Sequence, residues 1–239
     1  MPEILILKTG RTVESLRSRR GDFEDWFRAG LGLDANAAPC VDAPAGATLP
    51  PIATVPAVVV TGSPANATDG APWSLACEAW LAALVQRRTP VLGVCYGHQI
   101  LARALGGAVG DNPNGREMGT QTVRLTKAAP GDPLFAALPD ELIVQTTHQQ
   151  SVTRLPSAAR LLAHNAQDGH QAFAVGECCW GLQFHPEFDA DIVRGYAAAR
   201  ADVLAAEGLD PAAVRDAARD SPHGRAILQN FLGVVRSRA

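Results

Sequence analysis

The chain has 239 residues, 47% of them hydrophobic, and a formal net charge of −3. This length and apolar content suit one large domain, or one with an appendage, and exclude wholesale disorder. No long run of one charge sign occurs, and Arg11, Arg17, Arg19 and Arg20 alternate with Glu14, Asp22, Glu24 and Asp25 as on a solvated face, so nucleic acid is not the expected partner.

Ile4-Leu5-Ile6-Leu7 is a continuous apolar run and predicts a first strand buried on both faces, as in a parallel sheet. It is too short for a signal-peptide core, and no apolar run approaches the ~20 residues that span a bilayer, so no membrane association is expected. Arg11 to Gly30 reads as helical, with a break at Gly21-Asp22. Residues 31–56 are rich in Ala, Pro and Gly, with a short strand around Cys40-Val41. Ala57 to Thr61 is the second clear strand. The small-residue loop Gly62-Ser63-Pro64 follows it, just past a strand's carboxyl end, where open α/β sheets bind ligands. Ser74 reads as the N-cap of a helix to about Arg88, with Leu75, Ala79, Leu81, Leu84 and Val85 inward.

Pro90 to Val94 is again strand-like. Ile100, Leu101, Ala104 and Leu105 then form one face of a helix. Cys95 sits between the two, flanked by Gly93 and Gly97. A sharp strand-to-helix turn is crowded and needs small neighbours; the Gly-x-Ser-x-Gly elbow of serine hydrolases follows the same logic. The start of the next helix places free N–H groups and a positive dipole end beside the sulfur, which suits a nucleophile. A buried structural thiol is the alternative.

Asp111 to Gly115 is a turn, and Thr120 to Leu125 alternates as a half-exposed antiparallel strand. A helical turn is expected at Pro133 to Leu138 and a strand at Glu141 to Thr146, ending in the polar cluster Thr147 to Ser151. Ala159 to His164 and Gln171 to Val175 are read as strands. Cys179 to Phe184 is the last strand, and it delivers His185-Pro186-Glu187. From Asp189 onward the chain is helical: about 189 to 207, then from Asp210-Pro211, then Arg225 to Arg236. Strands alternate with helices early and pair as hairpins late. The expected fold is α/β, a doubly wound mostly parallel sheet with an antiparallel extension and C-terminal helices.

The five cysteines are irregularly spaced, with no metal or redox pair, and imply a reduced, cytoplasmic protein. A cysteine nucleophile needs a base, and the base needs an orienting partner. Among six histidines, His185 is the best candidate. It lies past a strand end, on the sheet edge expected to carry Cys95, with Glu187 able to accept from one ring nitrogen. His98 reads as structural and His148 as shaping the pocket. His164, His170 and His223 are left as surface or structural. The N–H groups of Tyr96 and of the Gly62-Ser63 loop are candidate oxyanion donors.

Gly93-Val94-Cys95-Tyr96-Gly97-His98-Gln99 resembles the nucleophile motif of class I, triad-type glutamine amidotransferases. His185-Pro186-Glu187 looks like that family's His-Pro-Glu, and Gly62-Ser63-Pro64 like its oxyanion loop. The resemblance covers roughly residues 1–190, leaving 191–239 as a C-terminal helical extension packed on the same domain. It implies Cys95 as nucleophile, His185 as general base and acid and Glu187 as orienter. It implies contacts from Gln99 to bound glutamine, and a pocket lined by main chain around Gly62, Tyr96 and His148-Gln149-Gln150-Ser151. Ser63 departs from the family's usual glycine. No synthetase domain is recognisable, so the chain is similar to stand-alone members related to the amidotransferase domain of GMP synthase.

The expected activity is glutaminase-type hydrolysis of a γ-glutamyl amide through a thioester, on glutamine or another γ-glutamyl small molecule. Alternatives are a γ-glutamyl peptidase and a non-catalytic or partner-dependent subunit served by a separate synthetase. No metal or organic cofactor is implied.

Overall fold

The computed structural model describes residues 3–238. Its main sheet has nine strands. In chain order these are β1 (Leu5–Lys8), β2 (Cys40–Asp42), β3 (Val58–Val60), β4 (Val91–Val94), β6 (Glu117–Leu125), β7 (Glu141–His148), β9 (Ala159–His164), β10 (Ala172–Val175) and β11 (Cys179–Leu182). A separate two-stranded ribbon pairs β5 (Ala108–Asp111) with β8 (Gln150–Arg154). The nine run side by side as β2-β1-β3-β4-β11-β10-β9-β6-β7. The first five are parallel and the rest antiparallel. The winding direction reverses at β1, which pairs with β2 on one side and β3 on the other, and β4 and β11 lie adjacent, so the segments that follow both strands emerge at one sheet edge.

The apolar runs explain the centre of the sheet. Val58, Val59 and Val60 are fully buried, as are Val91, Leu92 and Val94, because helices cover both faces. On one face lie α2 (Phe23–Leu31) and α8 (Pro222–Ser237), while α1 (Glu14–Arg20) packs through Leu16 with the residues of the α5 (Ala190–Ala199) segment. From α8, Ile227, Leu228 and Phe231 enter the core shared with Ile4, Ile6 and Trp180. On the other lie α3 (Pro72–Gln86) and α4 (Tyr96–Ala104). Three short helices, α5 (Ala190–Ala199), α6 (Ala201–Ala206) and α7 (Pro211–Ala217), complete the chain before α8.

Several local expectations change. Ser74 does not cap α3. Pro72 occupies the first turn after Ala71, and Ser74 is buried with its hydroxyl 2.7 Å from that of Tyr96. The helix is accordingly rotated: Cys77, Trp80, Leu81 and Leu84 face inward, while Leu75 is 47% exposed and Ala79 is exposed. The helix expected over 189 to 207 breaks at Arg200, whose φ is −114°. The expected polar cluster at Thr147 to Ser151 instead spans the end of β7 and the start of β8. Among the described residues no helix is long and apolar enough to cross a membrane.

Candidate active site

β4 ends at Val94, and Cys95 turns the chain with φ 52° and ψ −104° before α4 begins. A non-glycine residue holds positive φ only where its surroundings impose it. Cys95 N–H donates to the Leu182 carbonyl of β11 at 2.8 Å. A Cβ on Gly93 would sit 2.5 Å from the Gly97 carbonyl oxygen, and one on Gly97 would sit 2.5 Å from that of Val60. Both glycines therefore allow close backbone packing, and this packing holds the elbow.

His185 enters from β11, and its N–H donates to the Gln145 carbonyl of β7 at 2.8 Å. The proline after it folds the chain back, so Glu187 Oε1 lies 2.7 Å from His185 Nδ1. Both side chains are buried. Phe188 stacks on the imidazole at 3.9 Å and on Tyr196 at 5.4 Å, which fixes the ring plane. Burial opposes the imidazolium, but the charge of Glu187, then the sulfur of Cys95, outweighs it and raises His185 to about 10. Nε2 has no hydrogen-bond partner among the described residues. His185 can thus hold a proton at Nε2 while Glu187 fixes Nδ1.

Two recesses meet at Cys95. One is lined by Asn66, Tyr96, Gln99, Thr147 and Gln150; the other by Phe23, His185 and Tyr196. Ser63, Pro64, Thr147 and Arg200 border both. A larger cavity lies away from Cys95, against Arg87, Arg88 and Arg236, and includes none of the candidate residues.

Gly62 lies against the base: a Cβ there would sit 2.9 Å from His185 Cε1. The N–H groups of Gly62, Ser63 and Tyr96 have no backbone partner among the described residues. Ser63 is accommodated because residue 10 is glycine; a Cβ on Gly10 would lie 2.6 Å from the Ser63 hydroxyl oxygen. That oxygen accepts from Ala65 N–H at 3.2 Å. Tyr96 reaches the recess by its backbone side, since its phenol turns away to Ser74. Gln99 donates from Nε2 to the Gln150 carbonyl at 2.7 Å and to Gln183 at 3.1 Å. Its amide oxygen accepts no hydrogen bond among the described residues.

The 148–151 segment divides. Gln149 lines the recess and accepts from Arg116 at 3.0 Å. Gln150 ties the loop at Thr68 to the ribbon through Thr68 and Asp111. Ser151 does not reach either recess, because its hydroxyl donates to Asp168 at 2.6 Å. His148 also lines the recess, and its ring lies 3.2 Å from Asp168 and 3.5 Å from Glu117 in a buried network. There burial raises Glu117. Burial also opposes ionised Asp168, but His148 and Ser151 hold it down at about 2. His98 is fully buried and held at about 3 by burial. His223 Nδ1 accepts from Ile143 N–H at 2.9 Å, and His170 Nδ1 lies 2.6 Å from the Val152 carbonyl. Arg116, Thr147, Phe188 and Arg200 were not expected at the site. Arg200 has no local signal in the sequence, because the periodicity over 189–207 reads as one continuous helix.

Residues 40–192 match the family described as glutamine amidotransferase class-I. Gamma-glutamyl peptidase 5 of Arabidopsis thaliana is 32% identical over 137 residues, 56% of this chain and 55% of that protein. A glutamine-hydrolysing GMP synthase of Syntrophomonas wolfei is 35% identical over 148 residues, 59% of this chain and 27% of that protein. The chain spans about half the length of the first of these relatives and less of the second. Among solved structures, a glutamine amidotransferase from Thermotoga maritima matches with a TM-score of 0.77 at 26% identity, covering 98% of this chain and 99% of that one. One from Methylobacillus flagellatus matches in fold, with a TM-score of 0.72 at 23% identity, over 99% of this chain and 93% of that one.

Proposed function

The chain belongs to the class-I glutamine amidotransferase family, and from that premise we propose that it hydrolyses γ-glutamyl amides with Cys95 as nucleophile, His185 as acid and base and Glu187 as orienter. The observation that carries this reading is the buried His185–Glu187 pair, 2.7 Å apart, in a recess shared with the strained Cys95 elbow. Residues 191–239 are taken as an extension of the same domain, because α8 supplies part of its core.

The Cys95 thiolate attacks the γ-carbonyl carbon, and the oxygen takes the negative charge. The N–H groups of Tyr96 and of the Gly62-Ser63 loop are available to hold it. The C–N bond breaks as His185 gives its Nε2 proton to the leaving nitrogen. A γ-glutamyl thioester and a neutral imidazole remain. His185 then takes a proton from water, the water oxygen attacks the thioester, and the C–S bond breaks. Glutamate leaves, with thiolate and imidazolium restored. Gln99 contacts the bound glutamyl group, a role supported by an amide oxygen that accepts no hydrogen bond among the described residues.

A second reading, hydrolysis of γ-glutamyl peptides rather than of free glutamine, is favoured by the similarity to Arabidopsis proteins named γ-glutamyl peptidases. The test is amine release by the purified protein from glutamine and from a panel of γ-glutamyl dipeptides, with Cys95→Ala as control. Ammonia from glutamine supports a glutaminase, and preference for dipeptides supports the peptidase. Silence on every substrate with Cys95 still open to alkylation points to a separate synthetase subunit as activator. Equal turnover by wild type and variant refutes the mechanism.

A further inference from the structure

Arg200 stands at the junction of α5 and α6, outside the segment that matches the family, and borders both recesses at Cys95. Two other arginines border one recess each, and both are engaged. Arg116 bonds Glu207 at 2.6 and 3.0 Å. Arg11 bonds Asp42 at 3.0 Å. Arg200 makes no side-chain hydrogen bond or ion pair among the described residues. Its Nε is buried without a partner, and its guanidinium lies over the Tyr196 ring, 5.7 Å from the centroid. A guanidinium nitrogen buried without an acceptor is costly, and such a group fits a planar anion that supplies one.

The side of Cys95 on which Arg200 meets His185 is the leaving side, because His185 must protonate the departing nitrogen. Ammonia leaving from glutamine carries nothing for a cation to hold. An amino acid leaving from a γ-glutamyl dipeptide carries a carboxylate. We propose that Arg200 is a specificity-determining residue that binds the carboxylate of the leaving amino acid, so that the substrates are γ-glutamyl amino acids with a free C-terminal carboxylate. This rests on the γ-glutamyl hydrolase reading above and names its substrate class.

The test measures binding, so that it does not depend on turnover. Calorimetric titration of the Cys95→Ala protein with γ-glutamyl-glycine and with γ-glutamyl-glycinamide compares a carboxylate with a neutral group of the same shape. The acid binds about tenfold or more tightly than the amide. Arg200→Gln in the same background brings the ratio close to one, and Arg200→Lys restores part of it. Equal affinities before the Arg200 change, or a ratio that survives Arg200→Gln, overturns the proposal. So does an equal weakening of glutamine, the acid and the amide by Arg200→Gln, which assigns the arginine to the glutamyl α-carboxylate or to a structural role. A preserved ratio with no hydrolysis by the wild type overturns the functional reading and leaves this site standing.

Discussion

His185 is where the opposing effects of burial and neighbouring charge can be separated. Its rise from the ordinary 6.5 to about 10 corresponds to ~5 kcal/mol in favour of the imidazolium. That is a net figure. Burial works against the charge, and Glu187 and then Cys95 overcome it. Glu187→Gln keeps the size and one acceptor oxygen and removes the charge that contributes more. It lowers the His185 titration midpoint by roughly two pH units and cuts activity at neutral pH by about 100-fold or more. Replacing both partners, in Cys95→Ser with Glu187→Gln, removes both charges and leaves burial opposed only by neutral hydrogen bonds. The side chain is 2% exposed, so the midpoint then falls below 6.5 and the ring is neutral at pH 7. NMR titration of labelled histidine, with His185 assigned from His185→Asn, reads each step. A double variant still protonated at pH 7, or a midpoint unmoved by Glu187→Gln, refutes the stated balance.

Other perturbations act on the same construction. Gly97→Ala places a Cβ against the Val60 carbonyl and loses about 1–3 kcal/mol in chemical denaturation. Gly131→Ala, with nothing within 4 Å and no positive φ, stays within about 0.5 kcal/mol. Gly62→Ala pushes on His185 Cε1 and lowers kcat more than stability, which parallel denaturation and amine-release assays distinguish. Asp168 is depressed from 3.8 to about 2, so its ionised form contributes about 2 kcal/mol of stability above pH 3.8, lost as pH falls through about 2. Asp168→Asn therefore flattens the acid limb of denaturant midpoint against pH between these values.

The buried parallel strands were legible because continuous apolar runs such as Val58–Val60 can only be satisfied between two layers. The elbow was legible because Gly-x-Cys-x-Gly leaves few other backbone solutions, and both glycines meet main-chain atoms. The phase of α3 was not, because Ala and Leu occur around the whole helix and Pro72, rather than Ser74, marks its start. β5 and β8 pair across long sequence separation, and their burial pattern lacks a strong alternation. Ser151 belonged to a promising polar run, yet its hydroxyl serves Asp168, a partner that only the tertiary fold supplies. Arg200 was hidden for the same reason. Its role depends on which arginines have found carboxylates, and that is a property of the packed molecule.

The central claim is that Cys95 is the atom that takes the glutamyl group. Intact and peptide mass spectrometry after treatment with a diazoketone analogue of glutamine tests it most directly. One covalent adduct is expected, located on Cys95, slowed by competing substrate and absent from Cys95→Ala. Labelling of Cys40, Cys77, Cys178 or Cys179 instead, or amine release that continues in Cys95→Ala, would contradict it.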